Sequence, residues 1–492
     1  MMQDLILVLD EGTTSTRAML FGRDGAVHGV QQQAISQHYP QDGWVEHEPS
    51  EIWDKTLACA RAVVSQAGGA HRIAAIGITN QRETVVAWDK VSGEPLARAI
   101  VWQDRRTAPF CDGLRAAGHE AAVQAQTGLL LDPYFSASKM RWLLDNNAAV
   151  AAAAAAGTLA FGTVESWLVF KLTGGAAHIS DASNAARTQL LGLGGADWDA
   201  GLCALFGVPR AALPTICDTA GDLGVSHADV LGVALPITGM AGDQQAATIG
   251  QGCLSPGMTK ATYGTGAFVL ANMGTQIPQS AHRLLGTVLC QIAGQRTYAL
   301  EGSVFVAGSL VQWLRDSLGL IASAAETEAL ARSVPDNGGV VLVPALSGLG
   351  APHWRPEARG AIRGLSFAAS KAHLVRAALE AMAHQTRDLA HAFAADGAPW
   401  SALKIDGGMV VNDWMVQDIA DLLDLEVTRP AFVETTALGA AMLAAVGAGL
   451  HGSLEAAAAA MIGETSRFSP QMPADTRAAR LAGWQAALGR VL

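Results

Sequence analysis

Charge is scarce in this chain, and positive charge scarcer still. Only 16% of its 492 residues are charged, and 33 basic side chains stand against 44 acidic ones, for a net charge of -11. That balance leaves no basic stripe for nucleic acid or for an anionic membrane. Any phosphate must be met locally, by backbone N–H groups, a few positive side chains and a metal ion. No glycine is followed by lysine anywhere, which excludes the phosphate loop that ends in Gly-Lys-Ser or Gly-Lys-Thr. The six cysteines form no Cys-x-x-Cys pair, and their spacing suggests neither a disulfide framework nor a zinc site. Reduced, mostly buried thiols in a cytoplasmic protein are expected. The 13 histidines make no metal-binding array. The apolar run Leu5–Leu9 is far too short for a signal sequence or a membrane span, so no membrane insertion is expected. What the chain does have is apolar mass, 50% of its residues, enough for large cores, and a length suited to two to four domains.

Its midpoint carries a short apolar segment from Pro236 that ends in Gly239 and Gly242, followed by Asp243 and Gln244 where a helix would begin. A carboxylate at such a strand-to-helix elbow faces the crevice where α/β sheets bind ligands. It is also what a plain helix cap looks like. Near the N-terminus, Leu5–Leu9 is followed by Asp10-Glu-Gly-Thr-Thr-Ser-Thr-Arg17, a second apolar run and a third strand from Val27, an antiparallel meander. Its first turn, rich in glycine and hydroxyls, suits phosphate oxygens, and Asp10 beside it could hold a water of hydrated Mg²⁺. A plain solvated hairpin has the same appearance.

Between two apolar runs lies Asn80-Gln-Arg-Glu83, an adjacent Arg–Glu pair where a turn would normally carry Gly, Asn or Asp. It is either a surface ion pair of little worth or a donor–acceptor fork for hydroxyl groups. A helix is expected from about Pro49, another over Ala148–Ala156, ended by Gly157, and a long one over Ala372–Ala395. Past Gly250 the opening pattern returns: Met258–Leu270 is again strand, glycine–threonine turn, strand. Gly12-Thr13 and Gly264-Thr265 are about half a chain apart, which suggests two related halves facing each other across a cleft. Gly250–Gly257 is the expected hinge. A glycine pair, Gly407-Gly408, ends a further strand and lets backbone approach a ligand closely. Gly447-x-Gly449-x-x-Gly452 matches a dinucleotide fingerprint but follows a helix, so it reads as helix-ending glycines.

Tyr134-x-Ser-x-x-Lys-Met-x-Trp-Leu-x-Asp-Asn146 and Gly360-x-Ile-x-Gly-Leu365, with His373-Leu-x-x-Ala-Ala-Leu-Glu380 after it, fit the two signatures of the FGGY carbohydrate kinases. The chain resembles that family from about Leu5 to its C-terminus. The resemblance implies an α/β fold of two duplicated ribonuclease H-like domains, of the actin and Hsp70 type, around a central ATP cleft. Residues 1–252 would form the glycerol and phosphate side, and residues 253–492 the adenine nucleotide side. Asn80–Thr84, Trp102-Gln103, Asp132–Tyr134 and Gly242–Gln245 match family members that phosphorylate glycerol. By that resemblance Arg82, Glu83 and Tyr134 address hydroxyls with Gln244 nearby, Trp102 and Phe268 flank the carbon backbone, and Asp243 accepts the proton of the attacking hydroxyl. Thr13, Thr14, Ser15 and Arg17 would face the β- and γ-phosphates. Thr265, Gly308, Gln312, Gly408 and Asn412 would hold ATP from the other side, and Asp10 with Asp243 would position Mg²⁺. A homodimer or homotetramer is implied as well.

Three positions depart from the family pattern. Glu11 stands where glutamine is usual, which is expected to add negative charge beside the phosphates. Glu165-Ser166 replaces an Asp-Thr or Asp-Ser. Asp222–Leu235 holds no Lys or Arg, so inhibition by a sugar bisphosphate is not expected. Rival readings are a kinase for another small polyol or ketose (erythritol, dihydroxyacetone, xylulose) and a non-catalytic ATP-gated binding protein.

Overall fold

The computed structural model describes residues 4–355 and 357–492. These build an α/β fold on two large sheets. The first opens with β1 (Leu5–Glu11), β2 (Ser15–Gly22) and β3 (Val27–Ala34), the expected antiparallel meander. β4 (Ile73–Asn80) and β5 (Ile237–Gly242) add in parallel, giving the order β5-β4-β1-β2-β3. The second sheet takes β6 (Met258–Tyr263), β7 (Ala267–Gly274), β8 (Leu285–Ile292) and β9 (Gln295–Val304) from one stretch of chain. It is completed by β10 (Ala402–Asp406), β11 (Val427–Pro430) and β12 (Thr465–Phe468), in the order β8-β9-β7-β6-β10-β11-β12. From β11 to β9 it repeats the first sheet: two parallel strands, a central strand, two antiparallel ones.

The helices that matter to the site are α1 (Pro49–Gln66), α2 (Asp243–Gly250), α3 (Gly308–Asp316), α4 (Lys371–Ala395), α5 (Asp413–Leu423) and α6 (Thr435–Gly447). The apolar run of β1 has a simple cause. Successive side chains of a strand point to opposite faces. Leu5, Leu7 and Leu9 pack with Ile52, Cys59 and Val63 of α1, while Ile6 and Val8 pack with Ala440, Leu443 and Ala444 of α6. A strand covered on both faces reads as continuous hydrophobicity.

α6 belongs to the second half of the chain, yet it lies on the first sheet and against α2. A Cβ on Gly250 would stand 1.9 Å from Thr435 O, and one on Gly439 would stand 1.8 Å from Ala246 O. Only glycine permits that approach. The two halves are therefore joined by a shared core as well as by the chain, and α2, the helix that Asp243 opens, is clamped at the junction. Past α6, Gly449 has φ 70°, in keeping with helix-ending glycines. The Ala148–Ala156 helix forms as expected, with Asn147 Oδ1 accepting from Ala149 and Val150 N–H and Gly157 in the left-handed region. None of the six cysteines is paired, and five are buried. No helix among the described residues is long and apolar enough to cross a membrane.

Candidate active site

Asp243 is the first residue of α2, directly after β5, and 35% of its side chain is exposed. Its Oδ1 accepts from the Gln244 N–H at 2.7 Å and lies 3.2 Å from Arg82 Nε. The cap residue of α2 is Gly242, with no side-chain cap, so this one bond occupies only part of the Asp243 carboxylate and the rest stays open beside a guanidinium.

Arg82 and Glu83 follow β4 in a tight turn, closed by Thr84 N–H donating to Arg82 O at 2.8 Å. Glu83 has φ 62°, the left-handed region that explains why Gly or Asn would be expected there. A side chain with a Cβ costs on the order of 1 kcal/mol in that conformation. What holds it is Arg187, whose Nε donates to Glu83 Oε1 at 2.6 Å. The Arg82 fork is held mainly by Glu301: NH1 donates to Glu301 Oε2 at 2.6 Å and NH2 to Glu301 Oε1 at 3.1 Å, with longer contacts from NH1 to Gln245 Oε1 at 3.3 Å and from NH2 to the Tyr134 hydroxyl at 3.4 Å. Arg187 NH2 also donates to Glu301 Oε1, at 3.2 Å. Burial alone would raise the Glu301 carboxyl; Arg187 and Arg82 outweigh it and hold it down at about 2. Burial raises Glu83 instead, against the pull of Arg82 and Arg187.

Aromatic groups adjoin this charged set. The Trp102 and Tyr134 rings meet edge to face with centroids 5.7 Å apart, and Trp102 Nε1 donates to Thr13 Oγ1 at 2.9 Å. Tyr134 is fixed by a buried staple, Lys139, whose Nζ donates to the carbonyls of Pro133 (2.7 Å), Tyr134 (2.6 Å) and Phe135 (3.0 Å). Burial depresses that ammonium to about 8. The signature lysine thus anchors the loop that carries the tyrosine.

The second sheet supplies the facing wall. Leu270 of β7 is paired with Glu301 of β9 on one side and Lys260 of β6 on the other. Directly paired residues share a face, as do residues two apart on one strand. Glu301, Lys260 and the half-buried Phe268 therefore share one face of this sheet. Lys260, fully buried, donates from Nζ to Gln244 Oε1 at 2.5 Å.

The turn after β1 is closed by Gly12 N–H donating to Ser15 O at 3.0 Å, with Thr14 at its exposed tip. Arg17 is less free than its position in sequence suggests. It bonds Asp10 Oδ2 at 2.6 Å and also Glu434, which arrives from just before α6. Burial raises the Asp10 carboxyl, Arg17 opposes this, and the charges of Glu434 and Asp243 add to the rise. Asp10 and Asp243 thus lie close enough to feel each other. Among the described residues no group of three or more His, Cys, Asp or Glu is arranged to hold a metal. Mg²⁺ bound with a nucleotide takes one or two carboxylates, the rest of its shell being phosphate and water, and this pair fits that demand.

Glu11 corrects an expectation. It is fully buried, accepts from Thr56 Oγ1 at 2.8 Å, and burial lifts its carboxyl to about 8 in spite of the Thr16 and Thr56 hydroxyls. Strand alternation sends Asp10 and Glu11 to opposite faces. Glu11 therefore adds no negative charge beside the Gly12–Ser15 turn. Glu165 is likewise a buried network residue, lifted by burial to about 7 and accepting from Thr163, Ser180 and Asn80.

On the opposite side, Gly308 N–H donates to Gly264 O at 2.8 Å, and a Cβ on Gly308 would lie 3.3 Å from Met409 Cγ. This joins the Gly264–Gly266 turn, the start of α3 and the Gly407-Gly408 turn into one rim. Gly407 has φ 96°, and a Cβ there would fall 2.4 Å from Tyr263 O; around Gly408 nothing stands within 4 Å. Thr265, Gln312 and Gly408 are exposed. Asn412 is occupied: its Oδ1 caps α5 through Met415 N–H at 2.9 Å, and its Nδ2 donates to Thr327 at 3.1 Å. Arg187, Glu301, Lys260 and Glu434 were not singled out from sequence. The available signal was a lone charge within an apolar strand, as in Tyr298-Ala-Leu-Glu301 and Met258-Thr-Lys-Ala261.

Fold and site together define a two-domain phosphotransferase of the actin and Hsp70 type. The FGGY family of carbohydrate kinases matches in both parts, its N-terminal domain over residues 5–250 and its C-terminal domain over residues 259–448, and the chain belongs to this family. It is 54% identical over 487 residues to a glycerol kinase of Rhodospirillum centenum, covering 99% of this chain and 97% of that one. A glycerol kinase of Rhodospirillum rubrum is 54% identical over 491 residues, covering 99% and 98%. Among solved structures, a Plasmodium falciparum glycerol kinase with ADP superposes with a TM-score of 0.95 at 33% identity, covering 99% of this chain and 98% of that one.

Proposed function

We propose that this enzyme transfers the terminal phosphoryl group of ATP to glycerol, giving sn-glycerol 3-phosphate and ADP, the entry step of glycerol catabolism. The observation that carries the reading is the Arg82 guanidinium, held between Asp243, Tyr134 and Glu301 with its side chain only 2% exposed. Glycerol has little apolar area, so recognition must come from hydrogen bonds to each hydroxyl, made by groups already fixed in place. A site of this kind rejects an acceptor lacking one hydroxyl by roughly 10⁴-fold, because its buried partners go unpaired.

In this reading Arg82, Glu83 and Tyr134 bind hydroxyls, with Gln244 beside them. Trp102 and Phe268 flank the carbon chain, and Asp243 takes the proton of the attacking oxygen. Thr13, Thr14, Ser15 and Arg17 meet the phosphates from residues 1–252. Thr265, Gly308, Gln312, Gly408 and Asn412 hold the nucleotide from residues 253–492. Mg²⁺, held by Asp10 and Asp243, would supply charge neutralisation at the phosphates. Phosphoryl transfer passes through a loose transition state, so the residues mainly align the acceptor and the leaving group. Closure of the halves keeps water out of the acceptor's place. Action in the cytoplasm and assembly as a homodimer or homotetramer complete the proposal.

An ADP-release assay over a panel of polyols and ketoses, with and without Mg²⁺, tests it. Glycerol should give the highest kcat/KM, and only with the metal. A tenfold preference for erythritol, dihydroxyacetone or xylulose would replace the acceptor, whereas slow ATP hydrolysis with no phosphorylated product would make the chain a binding protein.

A further inference from the structure

Arg82, Glu301, Arg187 and Glu83 close a ring of alternating charge. Arg82 meets Glu301 through both nitrogens of its fork, Arg187 bridges Glu301 and Glu83, and Glu83 Oε1 lies 3.8 Å from Arg82 Nε. All four side chains are nearly sealed from water, at 0–2% exposure. Three members come from the first half of the chain. Glu301 alone comes from the second, on β9, 219 positions from Arg82.

The division of the Arg82 guanidinium is informative. Glu301 takes the NH1–NH2 edge, which leaves Nε for Asp243 at 3.2 Å and sets NH2 against the Tyr134 hydroxyl. Without Glu301, the nearest remaining carboxylates to that cation are Glu83 and Asp243. A buried guanidinium that loses its bidentate partner turns toward the remaining charge. It would then close on Asp243 and leave the hydroxyl-binding geometry.

We propose that Glu301 is a positioning residue of the acceptor site: it holds Arg82 in the orientation that reads a substrate hydroxyl, and so makes glycerol binding depend on the second half of the chain. The proposal rests on glycerol being the acceptor. Glu301 need not touch glycerol; it acts through Arg82, with Arg187 as the counter-cation that keeps it ionised. Arg187 NH1 has no hydrogen-bond partner among the described residues, so the loss of Glu301 would deepen an existing deficit of acceptors around two buried guanidinium groups.

The test compares wild type with Glu301→Gln and Glu301→Asp, reading KM for glycerol, KM for ATP, kcat and glycerol binding by calorimetry without nucleotide. Glu301→Gln should raise KM and Kd for glycerol roughly 10- to 100-fold, the size of a lost hydrogen bond to a charged group. KM for ATP should stay within about threefold. Glu301→Asp, which keeps the charge on a shorter arm, should recover part of the loss. Equal rises in both KM values, or wild-type glycerol binding in Glu301→Gln, would overturn the proposal. Should Glu301→Gln not fold, Arg187→Lys decides, since lysine lacks the planar two-nitrogen fork by which Arg187 reaches Glu83 through Nε and Glu301 through NH2. A rise in glycerol KM alone supports the ring, and its absence ends it. A wild-type protein inactive on glycerol would overturn the underlying reading instead, and is told apart by that first control.

Discussion

The two ends proposed for the site are built on opposite plans. The acceptor end is made of charged side chains, paired and buried, with Arg82, Glu83, Arg187 and Glu301 at 0–2% exposure. The proposed nucleotide end is made of glycine turns and the helix α3, with Thr14, Thr265, Gln312 and Gly408 exposed. The ligands proposed for each end explain the difference. A three-carbon triol can be distinguished only by its hydroxyls, and distinction is sharpest where an unpaired group has no water to turn to. A nucleotide is large and strongly charged, and backbone N–H groups at glycine turns meet it without committing side chains. In the proposed reading, selectivity is concentrated where burial is deepest.

The strongest way to break this comparison is to remove the proposed base. Asp243→Asn should lower kcat by about 10²–10⁴, measured by steady-state ADP release, and near-normal turnover would remove Asp243 from the chemistry. Next in size, Arg82→Ala should raise KM for glycerol roughly 100-fold, while KM for ATP changes far less. Equal rises would show that the two ends are not separate. At the nucleotide end, Gly407→Ala forces a Cβ onto the Tyr263 carbonyl at φ 96°. Strain of this kind should raise KM for ATP roughly tenfold and leave calorimetric glycerol binding unchanged; a larger effect on glycerol would reverse the assignment.

The smallest effect concerns a carboxyl that serves neither end. Glu11 titrates at about 8 in the folded chain against an ordinary 4.5. A folded pKa raised in this way means that the neutral form suits the fold. Its contribution to stability is complete below about 4.5 and is lost as pH rises through about 8. Glu11→Gln keeps the neutral shape. Its Tm relative to wild type should climb by a few degrees between pH 5 and pH 9 in a thermal-shift series, and a pH-independent difference would mean that Glu11 is already ionised at pH 5.

Local patterns announced a good deal. Leu5–Leu9 announced a strand, Met258–Leu270 a repeat of the opening hairpin, and Gly157 the end of the alanine helix. The Arg82–Glu83 pair stood out because it breaks a local rule, and Glu83 does occupy a backbone position where glycine is easier; Asp243 stood out by its place at the mid-chain elbow. Glu301, Lys260 and Arg187 broke no rule sharply enough. Their partners lie 219, 16 and 104 positions away and on other elements of the fold. Glu11 misled for the same reason, since sequence puts it beside Asp10 while the pleat puts it on the other face.

By itself, then, the sequence determined the duplicated plan, the opening strands, the glycine turns and the carboxylate at the mid-chain elbow. Each of these follows from neighbours within about one element, where periodicity and turn chemistry act. Tertiary structure alone decided which charges meet: that Glu301 crosses from the second half to Arg82, that Glu434 takes part of Arg17, and that Glu11 is withdrawn into the core. Pairing of buried charges is set by distance in space, and the low-dielectric interior makes it energetically decisive.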